Sequence, residues 1–157
     1  MNTVLLAFGP KDEQRIDELL DTATSIVDAD GTIVLLHVFD REQYDAISTK
    51  LNIDDNAGVT ADDVARRARV VRELADRLDR AGVDYVVRGA IGETSDAILR
   101  QSEADDADLI VVGGRSRSAT GKALFGSTAQ KVLVEADRPV TFVKARSETM
   151  KKVTAPA

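Results

Sequence analysis

The sequence predicts an α/β fold: a doubly wound, five-stranded parallel sheet with helices on both faces. Three observations predict it. Five short apolar runs, each of strand length, recur along the 157 residues. Amphipathic helical stretches separate them, which is the strand–helix alternation of a parallel sheet. The length suits one domain with one core, and no internal repeat or linker interrupts it.

Thr3 to Phe8 is the first strand, and Gly9-Pro10 stops it. Lys11 to Asp28 reads as one helix, because Ile16, Leu19, Leu20, Ala23, Ile26 and Val27 fall on one stripe. Asp30-Gly31 is a turn signal, and Thr32 to Phe39 is the second strand. Asp40 to Val59 is polar and less periodic, and reads as a surface loop or a partly helical insertion. Thr60, with Asp63 three residues on, is a variant capping box. The helix it opens carries Val64, Ala68, Val71, Leu74, Ala75 and Leu78, and Gly82 stops it. Val83 to Arg88 is the third strand, Thr94 to Glu103 a short helix, and Asp108 to Val112 the fourth strand. Ser127 to Glu135 is the last helix and Pro139 to Val143 the fifth strand. Residues 1–144 form the domain; Ala145 to Ala157 is a polar tail expected to be poorly ordered.

Composition narrows the function. With 27 acids against 21 bases the net charge is -6, so nucleic acid and anionic membranes are disfavoured partners. There is no Cys, which excludes disulfides, thiolate metal sites and cysteine nucleophiles. A single His leaves no histidine-rich metal site or His-based triad. No apolar run approaches the roughly 18 residues of a membrane span. Met1-Asn2-Thr3 lacks a basic signal-peptide start, so a cytoplasmic location is expected. Asp outnumbers Glu 19 to 8 and Arg outnumbers Lys 14 to 7. A high-salt (halophilic) cytoplasm and a GC-rich genome both produce that bias, and both stay open. The charge is uneven. Residues 1–110 hold 24 acids and 12 bases, a sum of -12; residues 111–157 hold 3 and 9, a sum of +6. A small polyanion such as a nucleotide is the partner this map favours.

In doubly wound sheets ligands bind at the carboxyl ends of the strands. The first such turn, Gly9-Pro10-Lys11-Asp12, is neither Gly-x-Gly-x-x-Gly nor a Walker loop. It also lacks the paired acids of a phosphoacceptor. The loop after strand four is different. Gly113 to Ser127 holds four Gly, several hydroxyls, two Arg and a Lys, and no acid. Glycine lets backbone approach an anion, and amides at a helix N-terminus point at it. Ser127 offers a hydroxyl and an amide, and Arg115 charge-assisted hydrogen bonds. A phosphate site and a plain surface loop are the two readings. Elsewhere, His37 reads as a core histidine held by a backbone hydrogen bond. Asp105, Asp106 and Asp108 read as a solvated turn rather than a cation site. The arginines from Arg66 to Arg80 read as a salt-bridged exposed face.

Leu109 to Val143 resembles the C-terminal half of the universal stress proteins, whose signature is Gly-x2-Gly-x9-Gly-Ser/Thr. Gly113, Gly126 and Ser127 occupy three of its positions, and Ser116 stands at the second glycine. Ala123-Leu124-Phe125, Asp137-Arg138-Pro139-Val140 and Leu35-Leu36-His37-Val38 match the flanks and the second strand. The resemblance covers about residues 3–144. It implies a universal stress protein, adenine-nucleotide alpha hydrolase-like fold and a cytoplasmic, homodimeric, ATP-binding stress-response module. Gly9 and Pro10 would line the base or ribose, Val38 would pack on adenine, and Val112 and Gly113 would flank ribose and first phosphate. Arg115, Ser116, Gly126, Ser127 and Thr128 would hold phosphates, with Mg²⁺ held mainly by phosphate and water. Dimerisation would run through the fifth strand, at Val140, Phe142 and Val143. The ATP-binding branch carries an acid where this chain has Gly9. Two alternatives therefore stand: a member that binds no ATP and acts through protein partners, and a slow ATPase. No catalytic or metal-ligating residue is assigned.

Overall fold

The computed structural model describes residues 1–50, 60–114 and 126–144, the side chains of Pro10, Lys11 and Ser48 excepted. The tail, Arg115 and Ser116 lie outside the described residues.

Five parallel strands form one sheet: β1 Thr3–Phe8, β2 Thr32–Phe39, β3 Asp84–Ile91, β4 Leu109–Gly114 and β5 Val140–Lys144, in the order β3-β2-β1-β4-β5. Six α-helices accompany them: α1 Ile16–Ile26, α2 Arg41–Lys50, α3 Ala61–Arg67, α4 Arg69–Ala81, α5 Thr94–Ala104 and α6 Ser127–Glu135. The strands are apolar on both faces because helices cover both. Leu6, Phe8, Ile33, Leu35 and Phe39 face one way and pack with Leu19, Leu74 and Leu78 of α1 and α4. Leu5, Ala7, Leu36, Val38 and Ile110 face the other and pack with Ile98 and Val132 of α5 and α6. This is the doubly wound architecture the strand–helix alternation predicts. Strand order reverses between β1 and β4, so the ligand crevice of such a fold lies above those two strand ends.

Three boundaries differ from the sequence reading, and the polar stretch after β2 takes its partly helical alternative. The first helix does not start at Lys11; a 3-10 turn runs from Pro10 to Arg15 before α1. Proline fixes the first turn, and Asp12 closes it by accepting the Gly9 amide at 2.9 Å. The polar stretch after β2 begins as a full helix, α2. Asp40 caps it, accepting the Gln43 amide at 2.6 Å. Tyr44 stacks edge-on against Phe39 with centroids 5.9 Å apart. The helix that opens at Thr60 is two helices, parted at Ala68, whose ψ of 137° is extended. The break separates two anchorages. Asp62 of α3 accepts the Gly89 amide of β3 at 2.7 Å, while Val71, Leu74 and Leu78 of α4 are buried in the core. Finally, β3 runs on to Ile91, in register with Phe39.

The two edges of the sheet are treated differently. The start of α3 lies against β3 so closely that a Cβ on Gly89 would overlap the Ala61 carbonyl. Backbone thus covers that edge at Gly89, while Asp84 and Val86 at the start of β3 are exposed. Among the described residues, β5 pairs with β4 alone. Ile110 donates to the Pro139 carbonyl at 2.9 Å, which turns the backbone groups of Val140, Phe142 and Lys144 outward.

Candidate functional site

A cavity of about 400 Å³ opens at the β1/β4 switch point, within the roughly 300–1,000 Å³ typical of small-molecule sites. Its lining comes from three strand ends and the starts of three helices. Gly9 follows β1, Val38 ends β2, Gly113 and Gly114 end β4, and Gly126, Ser127 and Thr128 begin α6. Thr94 at the start of α5 and Gln43 of α2 complete the wall, with Asp12 and Arg15 below.

The floor is an ion pair. Arg15 Nε donates to Asp12 Oδ1 at 2.7 Å, and its guanidinium also donates to the Gly114 carbonyl, tying the β1 turn to the β4 end. Both side chains are largely buried, 12% and 16% exposed. The pair explains Gly113. A Cβ there would lie 2.7 Å from Arg15 Cδ and 2.8 Å from Asp12 Oδ1. On Gly114 a Cβ would overlap the Phe142 ring. Both glycines are needed for space rather than for an unusual φ, since neither has a positive one.

The two sides of the cavity differ in polarity. On the β1/β2 side stand the carboxylates of Asp12 and Asp40. On the β4 side stands the N-terminus of α6, which has neither a side-chain cap nor an acid in its first turn. Its free N–H groups and dipole favour an anion. The neighbouring α5 is the opposite case. Glu93 caps it, accepting from the amides of Ser95 and Asp96 at 3.2 and 2.9 Å. Hydrogen bonds from the Ser95 hydroxyl and the Asp96 amide hold the Glu93 carboxyl down at about 2. Among the described residues, neither a side-chain cap nor a first-turn acid compensates the positive end of α6 beside the cavity.

Of the residues expected here, Gly9, Val38, Gly113, Gly126, Ser127 and Thr128 are brought together. Val112 is not; its side chain is 3% exposed and sits in the core under α5 and α6. Pro10 starts the 3-10 turn beside the cavity. Asp12 also lines the wall, as do Arg15, Asp40, Gln43 and Thr94, four residues that sequence reading did not place there. The Asp40/Gln43 pair carries a legible signal, the Asp-x-x-Gln spacing of a capping box.

His37 corrects another expectation. It is 4% exposed, but its Nδ1 has no hydrogen-bond partner. The ring is held by Phe8 and Phe39, at centroid distances of 5.1 and 4.2 Å. Burial lowers its pKa to about 4, so it is neutral at physiological pH. The three aspartates before β4 have separate structural partners. Asp108 accepts the Asn2 and Thr3 amides, Asp105 pairs with Arg88, and Asp106 is solvent-exposed. The arginine face is salt-bridged in part: Arg66 to Asp63, Arg69 to Glu73 and Arg77 to Asp17.

Fold and cavity define a doubly wound α/β protein with a small-molecule site at its switch point. The sequence profile of the universal stress protein family matches residues 1–144. The chain belongs to that family. It is 35% identical to a universal stress protein of Mycolicibacterium smegmatis over 79 residues, 50% of this chain and 61% of that one. A universal stress protein solved in complex with cAMP superposes with a TM-score of 0.63 at 20% identity, over 92% of this chain and 98% of the other. A family member from Arabidopsis thaliana with AMP bound gives 0.62 at 16% identity, over 95% of each chain. These two structures share the fold. No described helix is long and apolar enough to cross a membrane.

Proposed function

We propose that this protein is a cytoplasmic stress-response module that binds an adenine nucleotide, ATP or a relative of it, in the switch-point cavity. The polarity of the cavity carries the reading. The uncapped start of α6, with Gly126, Ser127 and Thr128, suits phosphates. The opposite wall, with Val38, Asp12 and Asp40, suits a nucleoside. Arg115 and Ser116 would add phosphate contacts, as the signature implies. Asp12 takes the place of the acid missing at Gly9. The 3-10 turn brings its carboxylate to the strand end, where it can accept a ribose hydroxyl. The two relatives with bound cAMP and AMP support an adenine nucleotide as the ligand class. Among the described residues no three His, Asp or Glu side chains cluster as a metal site, so an accompanying Mg²⁺ would be held by the nucleotide and water.

No described group is set up as a general base for hydrolysis. His37 belongs to the other face of the sheet. Binding rather than turnover is therefore the proposed activity. The outward backbone of β5 supports a homodimer through that strand. The side chains of Phe142 and Val143 pack inward, so β5 would pair mainly through its backbone.

Thermal unfolding with and without nucleotide tests the proposal. At a concentration of about 100 Kd, ligand adds about 2.7 kcal/mol. In a chain of this size that raises Tm by about 5–10 °C. Ser127→Ala is expected to reduce the shift. No shift with millimolar ATP, ADP, AMP or cyclic AMP would leave the family member acting through protein contacts alone.

A further inference from the structure

A groove of about 550 Å³ runs along the β3 edge, between that strand and α4, and shares no lining residue with the switch-point cavity. Residues Tyr85 to Arg88 of β3 line it. The backbone there is unpaired on its outer side. The Gly89 amide points away from β2, because it donates to Asp62 at 2.7 Å. Alternation along the strand turns the N–H and C=O groups of Tyr85 and Val87 the same way. Among the described residues β3 pairs with β2 alone, and none hydrogen-bonds to those outward groups. An open edge of this kind accepts an extended segment as a further strand. Three arginines stand around it. Arg72 is exposed and has no ion-pair partner among the described residues. Arg66 gives Nη1 to Asp63, and Arg88 reaches Asp105 at 3.2 Å. A guanidinium carries five N–H donors, so both keep donors to offer. Asp76 is the one acid in the described wall. Charges on an edge strand guard it against pairing. Here Arg66 and Arg72 stand on helices beside the edge, and the strand itself presents Tyr85, Val86 and Val87, with Val86 37% exposed.

We propose that the β3 edge is a docking site for an acidic, extended peptide segment of a partner protein, which adds to the sheet as a further strand. Ladder hydrogen bonds to Tyr85 and Val87 hold its backbone. Apolar side chains of the segment lie against Val71 on one face and Val86 on the other, and its carboxylates meet the three arginines. Gly89 sets one end of the site, since the start of α3 covers the edge there. A second copy of this chain is the poorer occupant: pairing β3 with β3 about a two-fold axis brings one arginine-lined groove against another. The site stands apart from the switch-point cavity, so it does not depend on a nucleotide.

The test uses two fluorescent peptides, one of alternating valine and glutamate and one of alternating valine and lysine. By anisotropy the wild type is expected to bind the acidic peptide about tenfold more tightly than the basic one, with a preference that shrinks as salt is added. Amide hydrogen exchange at Tyr85 and Val87 is expected to slow in that complex. Arg72→Glu is expected to weaken the acidic peptide about three- to tenfold and to strengthen the basic one, with little change in the melting curve of the free protein. Binding of neither peptide at millimolar concentration overturns the proposal. So does equal binding of both, or an affinity for the acidic peptide that Arg72→Glu leaves unchanged. Binding that leaves exchange at Tyr85 and Val87 as fast as before overturns strand addition. Protection of those two amides in the free protein that disappears on dilution makes a second copy the occupant and overturns the partner peptide.

Discussion

Replacing Gly113 with Ala probes the cavity floor most directly. The new methyl would lie 2.7 Å from Arg15 Cδ and 2.8 Å from Asp12 Oδ1, well inside contact distance. Backbone conformation is not at issue, because Gly113 has no positive φ. The cost is therefore steric and falls on one ion pair. Forcing a methyl into a packed site costs about 1–3 kcal/mol. At about 2–4 °C per kcal/mol for a chain of this size, Tm should drop by about 2–12 °C. Urea denaturation gives the same difference as a shift in midpoint at constant slope. The attribution is checked by a double-mutant cycle. In an Asp12→Ala/Arg15→Ala background both obstructing side chains are gone, and Gly113→Ala should cost less than about 0.5 kcal/mol. A coupling of about 1–2 kcal/mol between Gly113 and the ion pair is then expected. Equal costs in both backgrounds would refute the claim that Arg15 and Asp12 fill the space beside Gly113.

Three further outcomes are expected. Gly89→Ala sets a methyl onto the Ala61 backbone, which cannot swing away as a side chain can, so it should cost about 3 kcal/mol or more and lower Tm by about 6–12 °C. His37 has a folded-state pKa below its unfolded value, so the unfolded chain binds the proton first and stability falls as pH drops from 6.5 towards about 4. The loss is on the order of 3 kcal/mol, and His37→Phe should remove it from a stability–pH profile in that window. Light scattering at micromolar concentration should give twice the chain mass; a monomer would rule out pairing through β5.

The fold was legible because its signals are redundant. The five strands are apolar runs with turn residues at their ends, and helical stripes such as Leu19, Leu20 and Ala23 agree with them. The capping box at Thr60 is present as read, with Asp63 N to Thr60 Oγ1 at 3.2 Å and Thr60 N to Asp63 Oδ2 at 3.0 Å. Both sides of the cavity were partly legible, since Gly9 and Val38 mark the β1/β2 side and Gly113, Gly126 and Ser127 the β4/α6 side. Its floor was not. Asp12 and Arg15 are three apart, a spacing that on an α-helix marks only an ordinary surface pair. They become a buried pair because the turn is 3-10 and delivers Arg15 to the Gly114 carbonyl, a contact 99 residues away in sequence. The Val112 side chain lies off the cavity for a related reason. Alternation along β4 turns it into the core, one residue before the strand reaches the cavity. The break at Ala68 was hidden because Val64, Ala68 and Val71 keep one helical stripe across it.

The central claim is that an adenine nucleotide occupies the switch-point cavity with its phosphates at the start of α6. Calorimetric titration of the wild type and Ser127→Ala with ATP, ADP, AMP and cyclic AMP tests it most directly. One nucleotide per chain is predicted, with affinity weakened about tenfold or more in Ser127→Ala, where a charge-assisted hydrogen bond is lost. No heat of binding from any of the four at millimolar concentration, or affinity unchanged in Ser127→Ala, would contradict it.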